Sequence, residues 1–481
     1  MKNLSYLLKA IGIHFGNTDV EISRVVFDSR LASNETLFIA IKGSNSDGHN
    51  YLMQVKDQGC KYAIVEQIVN VDIQQFVVDD TRKALAILAC TWFGHPSKEL
   101  TLVGITGTNG KTTTATLLYT LFSNLGNKSG LLSTVVNKIG AEAIPSTHTT
   151  PDPFALNELL RSMVDAGCKY CFMEVSSHAV HQLRIHGLQF KGAVFSNITH
   201  DHLDYHQTFA AYINAKKAFF DGLGKDAFAL TNKDDRNGEL MLQNTEAIKY
   251  TYALSTMADF KGAIIENELS GLVVKIDGVE VHTRLIGKFN AYNIMAVYGV
   301  GRLLNVPVEQ LLTAISTLES VDGRFQFFKS INGVTVVIDY AHTPDALENV
   351  LKTIGLFRKN NQKVITIVGC GGDRDTSKRP SMTHIAQKLS GQVILTSDNP
   401  RTENPSAIIS EMQGGINESL GIPVISIEDR KQAIQTASLL AGNGDIVLIA
   451  GKGHEKYQEI MGVKHPFDDV KIALEFFNKT K

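Results

Sequence analysis

Apolar residues recur along the chain in two rhythms. Runs of four to eight β-branched and aromatic residues alternate with longer stretches carrying a helical repeat, the alternation expected of α/β architecture with mostly parallel sheets. Near the N-terminus, Val25-Val26-Phe27-Asp28-Ser29-Arg30 and Thr36–Ile41 read as strands, and the polar stretch Lys42–Asn50 reads as a loop. Asp28, Ser29 and Arg30 end the first strand as a turn with a capping serine, or as groups offered to a ligand. A helix is predicted from Thr81 through Trp92, and Gly94-His95-Pro96 breaks it. A small N-terminal α/β domain is therefore expected over residues 1–98.

A central domain, residues 99–325, opens with the buried run Leu102–Thr106, a Gly-rich turn Gly107-Thr108-Asn109-Gly110, and a helix from Lys111-Thr112-Thr113 through Leu121. Such a turn brings backbone N–H groups and a helix N-terminus onto a phosphate, with Lys111 for the outer phosphates and Thr112 for Mg²⁺. The strict phosphate-loop spacing would need glycine at 105, which is Ile105. A strand follows at Gly130–Val135, then the hydroxyl-rich run Ser146-Thr147-His148-Thr149-Thr150-Pro151-Asp152-Pro153 at a helix start. Tyr170–His178 and Gly192–Thr199 read as buried strands ending in Glu174-Val175-Ser176-Ser177-His178 and His200-Asp201-His202. Ligands of open α/β sheets lie at strand carboxyl ends, so Lys111, Thr112, Glu174 and His202 are predicted on one edge, where Glu174, His202 and phosphate oxygens could surround Mg²⁺.

The helix Phe209–Phe220 carries Lys216 and Lys217, and paired helical lysines ordinarily mark a solvated face. Leu269–Thr283 reads as a hairpin about Asp277-Gly278. Asn290 and Asn293 open a later helix, facing a base edge or capping it. After a hinge-like turn at Asp322-Gly323-Arg324-Phe325, four apolar strands end in clusters rich in Gly, Asp or Arg. These are Asp339–Asp345, Gly369–Asp375, Ser397–Arg401 and Gly451–Glu455. The recurrence predicts a C-terminal, Rossmann-like doubly wound domain over residues 326–481.

Composition adds mainly exclusions. A formal charge of −2 over 481 residues gives no global field for nucleic acid or an anionic membrane. No apolar run reaches membrane-spanning length and no secretory signal is evident, so a cytoplasmic protein is expected. The five cysteines, Cys168-x-x-Cys171 included, read as buried reduced thiols.

Together the motifs Gly107–Thr113, Glu174–His178, Asp201-His202-Leu203-Asp204-Tyr205-His206, Asn290–Asn293, Asp339-Tyr340-Ala341-His342 and Gly451-Lys452-Gly453-His454-Glu455 resemble those of the Mur ligases. These are ATP-dependent amino-acid-adding enzymes of peptidoglycan synthesis, and the resemblance covers essentially the whole chain. It is strongest with the branch that extends UDP-N-acetylmuramoyl-L-alanyl-D-glutamate. Asp398-Asn399-Pro400-Arg401 is similar to the signature of the members that use meso-diaminopimelate.

The resemblance implies ATP as co-substrate, Mg²⁺, and an acyl phosphate on the D-glutamyl γ-carboxylate that the incoming amine attacks. It implies catalytic roles for Lys111, Glu174, His202 and Lys216, the last carbamylated, and metal contacts from Thr112, Glu174, His202 and Lys216. It places ATP on Gly107, Thr108, Asn109, Gly110, Lys111, Thr112, Thr113, Asn290, Asn293, Arg324, Asp339 and His342. The UDP-sugar peptide falls on Phe27, Ser29, His148, Thr149, Thr150, Ser176, Gln182 and Arg184; His148 stands where a relative has asparagine. The amino acid falls on Arg374, Asp398, Asn399, Pro400, Arg401, Gly451 and Glu455. The partners are these small molecules, and a monomer is expected. Two alternatives stand beside this reading: the branch that adds L-lysine, or a related folate polyglutamylating enzyme, and a nucleotide-switched binding protein without amide chemistry. A guanidinium at Arg401 suits a second carboxylate and repels a lysine ammonium. The N-terminal unit disfavours the folate enzyme.

Overall fold

The structure is a computed structural model that describes residues 1–16, 19–43, 46–146, 148–359 and 361–478. Thr147 of the hydroxyl-rich run, and Ser44 and Asn45 of the early polar loop, lie outside the described residues. The chain forms two compact units. One comprises residues 1–104, 127–192 and 222–227; the other comprises 105–126, 193–221 and 228–481.

In the first unit, Arg24–Val26, Thr36–Ile39, Tyr62–Val65 and Gln74–Val77 form a four-stranded parallel sheet. Its two inner strands, Thr36–Ile39 and Tyr62–Val65, carry Leu37, Phe38, Ile39, Ala63, Ile64 and Val65, all buried, as expected where both faces are covered. Helix Thr81–Trp92 starts and stops where the sequence predicts. Asp80 caps it, accepting the N–H groups of Arg82 and Lys83. Leu85 and Leu88 pack into the core, and Gly94 and His95 both turn to positive φ beyond its end. The first strand is shorter than its apolar run. It stops at Val26, and a 3₁₀ turn over Ser29–Leu31 follows, capped by the Asp28 carboxylate rather than by Ser29. Ser129–Leu132 pairs in parallel with Tyr170–Glu174 and antiparallel with Val136–Ile139. Helix Pro153–Asp165 begins at Pro153, with Asp152 as its cap.

In the second unit, helix Lys111–Asn124 follows the glycine turn, and the strands Phe228–Asn232 and Ile248–Ala253 run parallel. Beyond Phe260–Glu268 comes the predicted hairpin. Ile276 pairs with Val279 across Asp277 and Gly278, both at positive φ, a turn whose twist matches that of the strands. A six-stranded sheet follows in the order Gln326–Lys329, Thr335–Asp339, Ile446–Ala450, Val364–Val368, Gln392–Leu395, Val424–Ser426. Only its first pair is antiparallel.

Successive strand residues bury on opposite faces. Val337, Leu448 and Val393 enter one core with helices Pro344–Phe357 and Lys378–Leu389, while Val336, Val447 and Ile394 enter another with Arg430–Leu440. This is double winding, as predicted. Asp339 pairs with Ala450 and Val368 with Leu395, so the strands end nearly level and their polar clusters share one edge. Behind that edge Arg430 and Asp469, both fully buried, form a two-bond ion pair at 2.9 and 2.7 Å. Arg430 also donates to the Ala450 carbonyl.

All five cysteines are reduced and buried. Among the described residues no helix is long and apolar enough to cross a membrane.

Candidate active site

The phosphate loop is pinned from below. Thr108 N–H donates to the Asn197 carbonyl at 2.8 Å, Asn109 N–H to Asn197 Oδ1 at 2.9 Å, and Ser196 Oγ to the Asn109 carbonyl at 2.6 Å. Gly107 sits at φ 149°, and a Cβ there would lie 2.0 Å from Ser196 Oγ, so only glycine fits. Gly110 caps the following helix with no side chain, which leaves its first-turn N–H groups for an anion. Lys111 Nζ curls back onto the carbonyls of Gly107 and Thr108, at 2.9 Å each.

Lys216 approaches the same loop. It is 1% exposed, donates to the Gly107 carbonyl at 2.8 Å, and lies over the Tyr212 ring. Burial, with the charge of Lys111 beside it, holds its ammonium pKa well below the ordinary lysine range, and Asp201 opposes this only in part. Lys217 overturns the expectation of a solvated face. It too is buried, and its Nζ bonds both carboxylate oxygens of Asp221 at 2.7 and 2.8 Å. Tyr212, Ile213, Phe219 and Phe220 bury the helix around more of its circumference than its charges suggest. His202 sits at positive φ beside the buried Asp201, Nε2 to Oδ2 3.4 Å. Burial pushes the Asp201 carboxyl up, but His202 and Lys378 hold it below the usual carboxylate range.

Asn109, Gly110, Thr113, Asn293, Arg324, Asp339 and His342 line one cavity of about 480 Å³, a volume suited to a nucleoside. Arg324 stacks over Tyr340 at 4.4 Å and donates to Thr112 Oγ1 at 3.1 Å. Burial raises the Asp339 carboxyl to about 6, against the pull of Arg324. Burial lowers His342 to about 4, so the ring is neutral; its Nδ1 lies 2.9 Å from the Tyr340 carbonyl and carries the proton there. Asn290 turns inward and donates to the Ile286 carbonyl, neither lining the cavity nor capping the helix, whose N-cap is Gly287 without a side-chain bond. Asn293, held by the Asn290 amide oxygen and by Thr114, stays on the cavity wall.

Sequence reasoning missed two parts of this wall. Asn109 bonds Asp345 at 3.0 Å, and Asp234 gathers the N–H groups of Leu254, Ser255 and Thr256 together with the Tyr292 hydroxyl. Both link residues far apart in sequence, and no local motif signals them.

At the neighbouring strand ends, Asp398, Asn399 and Lys452 are buried. Gly451, at φ 118°, leaves room for the Asp398 carboxylate, 2.4 Å from where a Cβ would stand. Glu455 Oε2 accepts Asn399 Nδ2 at 2.7 Å and Lys452 Nζ at 3.2 Å. Arg401, at positive φ, is tied by its backbone to Glu459 and Met461 and donates one Nη1 bond to the Gly372 carbonyl at 2.6 Å. Pro400 precedes it. Arg374 is exposed, with Nη1 on the Asp373 carbonyl.

In the first unit the predicted UDP-sugar residues fall into two places. Phe27 and Ser29 lie on the 3₁₀ turn and the residues leading to it, Phe27 exposed. The others gather at the end of strand Tyr170–Glu174. Thr150 Oγ1 donates to the Glu174 carbonyl and accepts Ser176 N–H, while Arg184 donates to the Thr150 carbonyl and, by Nε and Nη2, to Gln182 Oε1. Thr149 lies 3.0 Å from Thr134, and His148 is exposed. The buried Glu174 carboxylate accepts Thr134 N–H at 2.7 Å.

A glycine turn opening a helix, beside a nucleoside-sized cavity walled by strand ends, defines a nucleotide-binding α/β protein. Residues 105–301 match the Mur ligase middle domain, and residues 323–453 match the Mur ligase glutamate ligase domain. The chain is 52% identical to the UDP-N-acetylmuramoyl-L-alanyl-D-glutamate--2,6-diaminopimelate ligase of Cytophaga hutchinsonii, over 99% of each sequence. It is 40% identical to the Geobacillus kaustophilus enzyme of the same name, over 96% of this chain and 95% of that one. A solved structure of an enzyme so named superposes with a TM-score of 0.69 at 32% identity, covering 98% of each chain. The MurF ligase of Thermotoga maritima, solved with ADP, shares the fold at 20% identity and a TM-score of 0.64, over 96% of this chain and 98% of that one. The chain belongs to the Mur ligase family.

Proposed function

We propose that the protein is an ATP-dependent ligase that joins meso-2,6-diaminopimelate to UDP-N-acetylmuramoyl-L-alanyl-D-glutamate in the cytoplasm. The observation that carries this reading is the strand-end pocket of the second unit. There a guanidinium, Arg401, stands with a buried carboxylate, Asp398, and a half-buried one, Glu455, a charge pattern complementary to an amino acid with two ammonium and two carboxylate groups. Whole-chain identity to relatives bearing that name supports it.

The reaction must bring a carboxylate onto a phosphoryl group, anion against anion. Lys111, leaving the Gly107 and Thr108 carbonyls for the transferring phosphoryl oxygens, cancels part of that charge, as does the N-terminal end of the helix behind it. The cavity wall holds the nucleoside, with Arg324, Asp339 and His342 fixing one end. The γ-carboxylate oxygen takes the phosphoryl group and ADP leaves. The amine then attacks the acyl carbon, phosphate departs, and the amine loses its proton.

Mg²⁺ suits these groups in chemistry. Thr112 offers a hydroxyl oxygen, His202 an imidazole, and Lys216 becomes an oxygen ligand on gaining a carboxyl group from CO₂. That reaction needs the neutral amine its lowered pKa favours. Bound there, the ion would neutralise phosphate charge. Among the described residues no three His, Cys, Asp or Glu side chains gather as a ready metal cluster, so the modified lysine carries weight in this set.

The test is release of ADP and phosphate with the UDP-dipeptide and a panel of amino acids. Release with diaminopimelate, and only with both substrates present, is expected. Turnover with lysine alone would assign the lysine branch, and hydrolysis indifferent to both substrates would overturn the ligase reading.

A further inference from the structure

We propose that Lys452, which touches no substrate itself, is the positioning residue that locks the Asn399 amide and turns one oxygen of Glu455 toward the incoming amino acid. The inference rests on the amino-acid pocket proposed above and adds to it a residue that lines no part of that pocket.

Lys452 is 0% exposed, and its ammonium is used inward. It donates to Asn399 Oδ1 at 2.9 Å and to Glu455 Oε2 at 3.2 Å, with the Tyr457 ring 5.6 Å away. Asn399 Oδ1 also accepts Glu459 N–H at 3.0 Å. With two donors on that oxygen, the amide has one orientation, and its Nδ2 must point at Glu455 Oε2, 2.7 Å away. Oε2 is thereby engaged twice, and Oε1 is the oxygen left to receive a substrate ammonium.

Charge makes the same demand. Glu455 faces Asp398 from the end of strand Gln392–Leu395, Arg430 from the helix behind, Tyr340 and Tyr457 from the side, and Lys452 beneath it. Burial and Asp398 both raise its pKa, and Lys452 is the strongest influence opposing them. Arg430 is already paired with Asp469. Without Lys452, Glu455 would take up a proton at higher pH and lose its attraction for an ammonium.

The test measures kcat and KM for meso-diaminopimelate across pH in Lys452→Met, Glu455→Gln, the double variant and Arg401→Ala. Lys452→Met is expected to raise KM roughly tenfold with kcat within about threefold, and to move the acid limb of kcat/KM to higher pH. Lys452→Arg should recover part of the loss. In the Glu455→Gln background the Lys452 substitution should add little. A folded Lys452→Met with unchanged KM and pH profile would overturn the inference, as would an undiminished penalty in the double variant. Lys452→Gln, which keeps a donor and most of the volume, serves if the methionine variant does not fold. Should neither fold, Lys452 is a structural residue and the inference fails. If Arg401→Ala and Glu455→Gln both leave KM for diaminopimelate unchanged, the pocket assignment itself is wrong and the inference falls with it.

Discussion

Lys111 and Lys216 donate to one and the same carbonyl oxygen, that of Gly107, at 2.9 and 2.8 Å. Two ammonium groups on one acceptor repel each other, and the one buried more deeply, Lys216, gives up its proton more readily. The phosphate loop thus sets the buried Lys216 ammonium well below the ordinary lysine range.

Lys111→Ala should fold normally and lose more than about a hundredfold in turnover, because the proposed mechanism gives its charge to the transferring phosphoryl group. Circular dichroism with steady-state kinetics checks this. Near-normal turnover would remove the loop from the mechanism.

Lys216→Ala should be inactive and regain part of its activity with added acetate or formate, which replace the missing carboxylate. The unmodified enzyme should lose activity in CO₂-depleted buffer and recover with bicarbonate. Full activity without CO₂, beside a bare amine in a crystal, would exclude the modification.

Lys217→Ala should act differently. Its side chain is 9% exposed and its partner Asp221 34%, so the change removes a mostly buried stem and a half-screened ion pair. A stability loss of about 1–2 kcal/mol in urea titration is expected, with activity per folded molecule nearly kept. Inactivation equal to that of Lys216→Ala would place Lys217 in the chemistry.

Arg401 should govern the choice between diaminopimelate and lysine. A site built to pair a polar group discriminates by up to about 10⁴ against a ligand lacking the partner. Arg401→Ala should sharply reduce kcat/KM for diaminopimelate and leave that for lysine unchanged or slightly raised. Comparable use of both amino acids by the unmodified enzyme would contradict this.

Asp339 should give stability a pH slope. Its carboxyl, raised by burial from 3.8 to about 6, binds a proton more tightly in the folded state. The stabilisation is complete below about pH 3.8, declines as pH rises, and is gone above about 6. Asp339→Asn, always neutral, should therefore gain on the unmodified protein by roughly 2 kcal/mol between pH 4 and pH 7, since a tenfold difference in proton affinity is worth about 1.4 kcal/mol. Parallel denaturation curves at the two pH values would refute it.

The sequence was readable where chemistry is local. Helix Thr81–Trp92, the Asp277-Gly278 hairpin and the aligned strand-end clusters all follow from caps, glycines and apolar runs of neighbouring residues. Reading failed where the partner is distant. Strand Arg24–Val26 stops at Val26, and the Asp28 carboxylate then turns the chain by accepting Arg30 N–H, a choice between Asp28 and Ser29 that composition leaves open. Lys217 looks solvated until Asp221 and the packed aromatic rings of its helix are seen. Lys452 sits inside a motif quoted for its neighbours, and its role emerges only once Asn399, Glu455 and Tyr457 converge on it.

The Arg430–Asp469 pair bears on the order in which the protein can be made. While a growing chain has yet to reach Asp469, the guanidinium behind Ala450 has no counter-charge, and a buried cation in that state costs several kcal/mol. The strand end that leads into Gly451–Glu455 therefore settles only once helix Asp469–Phe477 has docked behind it. A series of C-terminal deletions would register this as an abrupt loss of amino-acid binding on removal of Asp469, not a gradual decline.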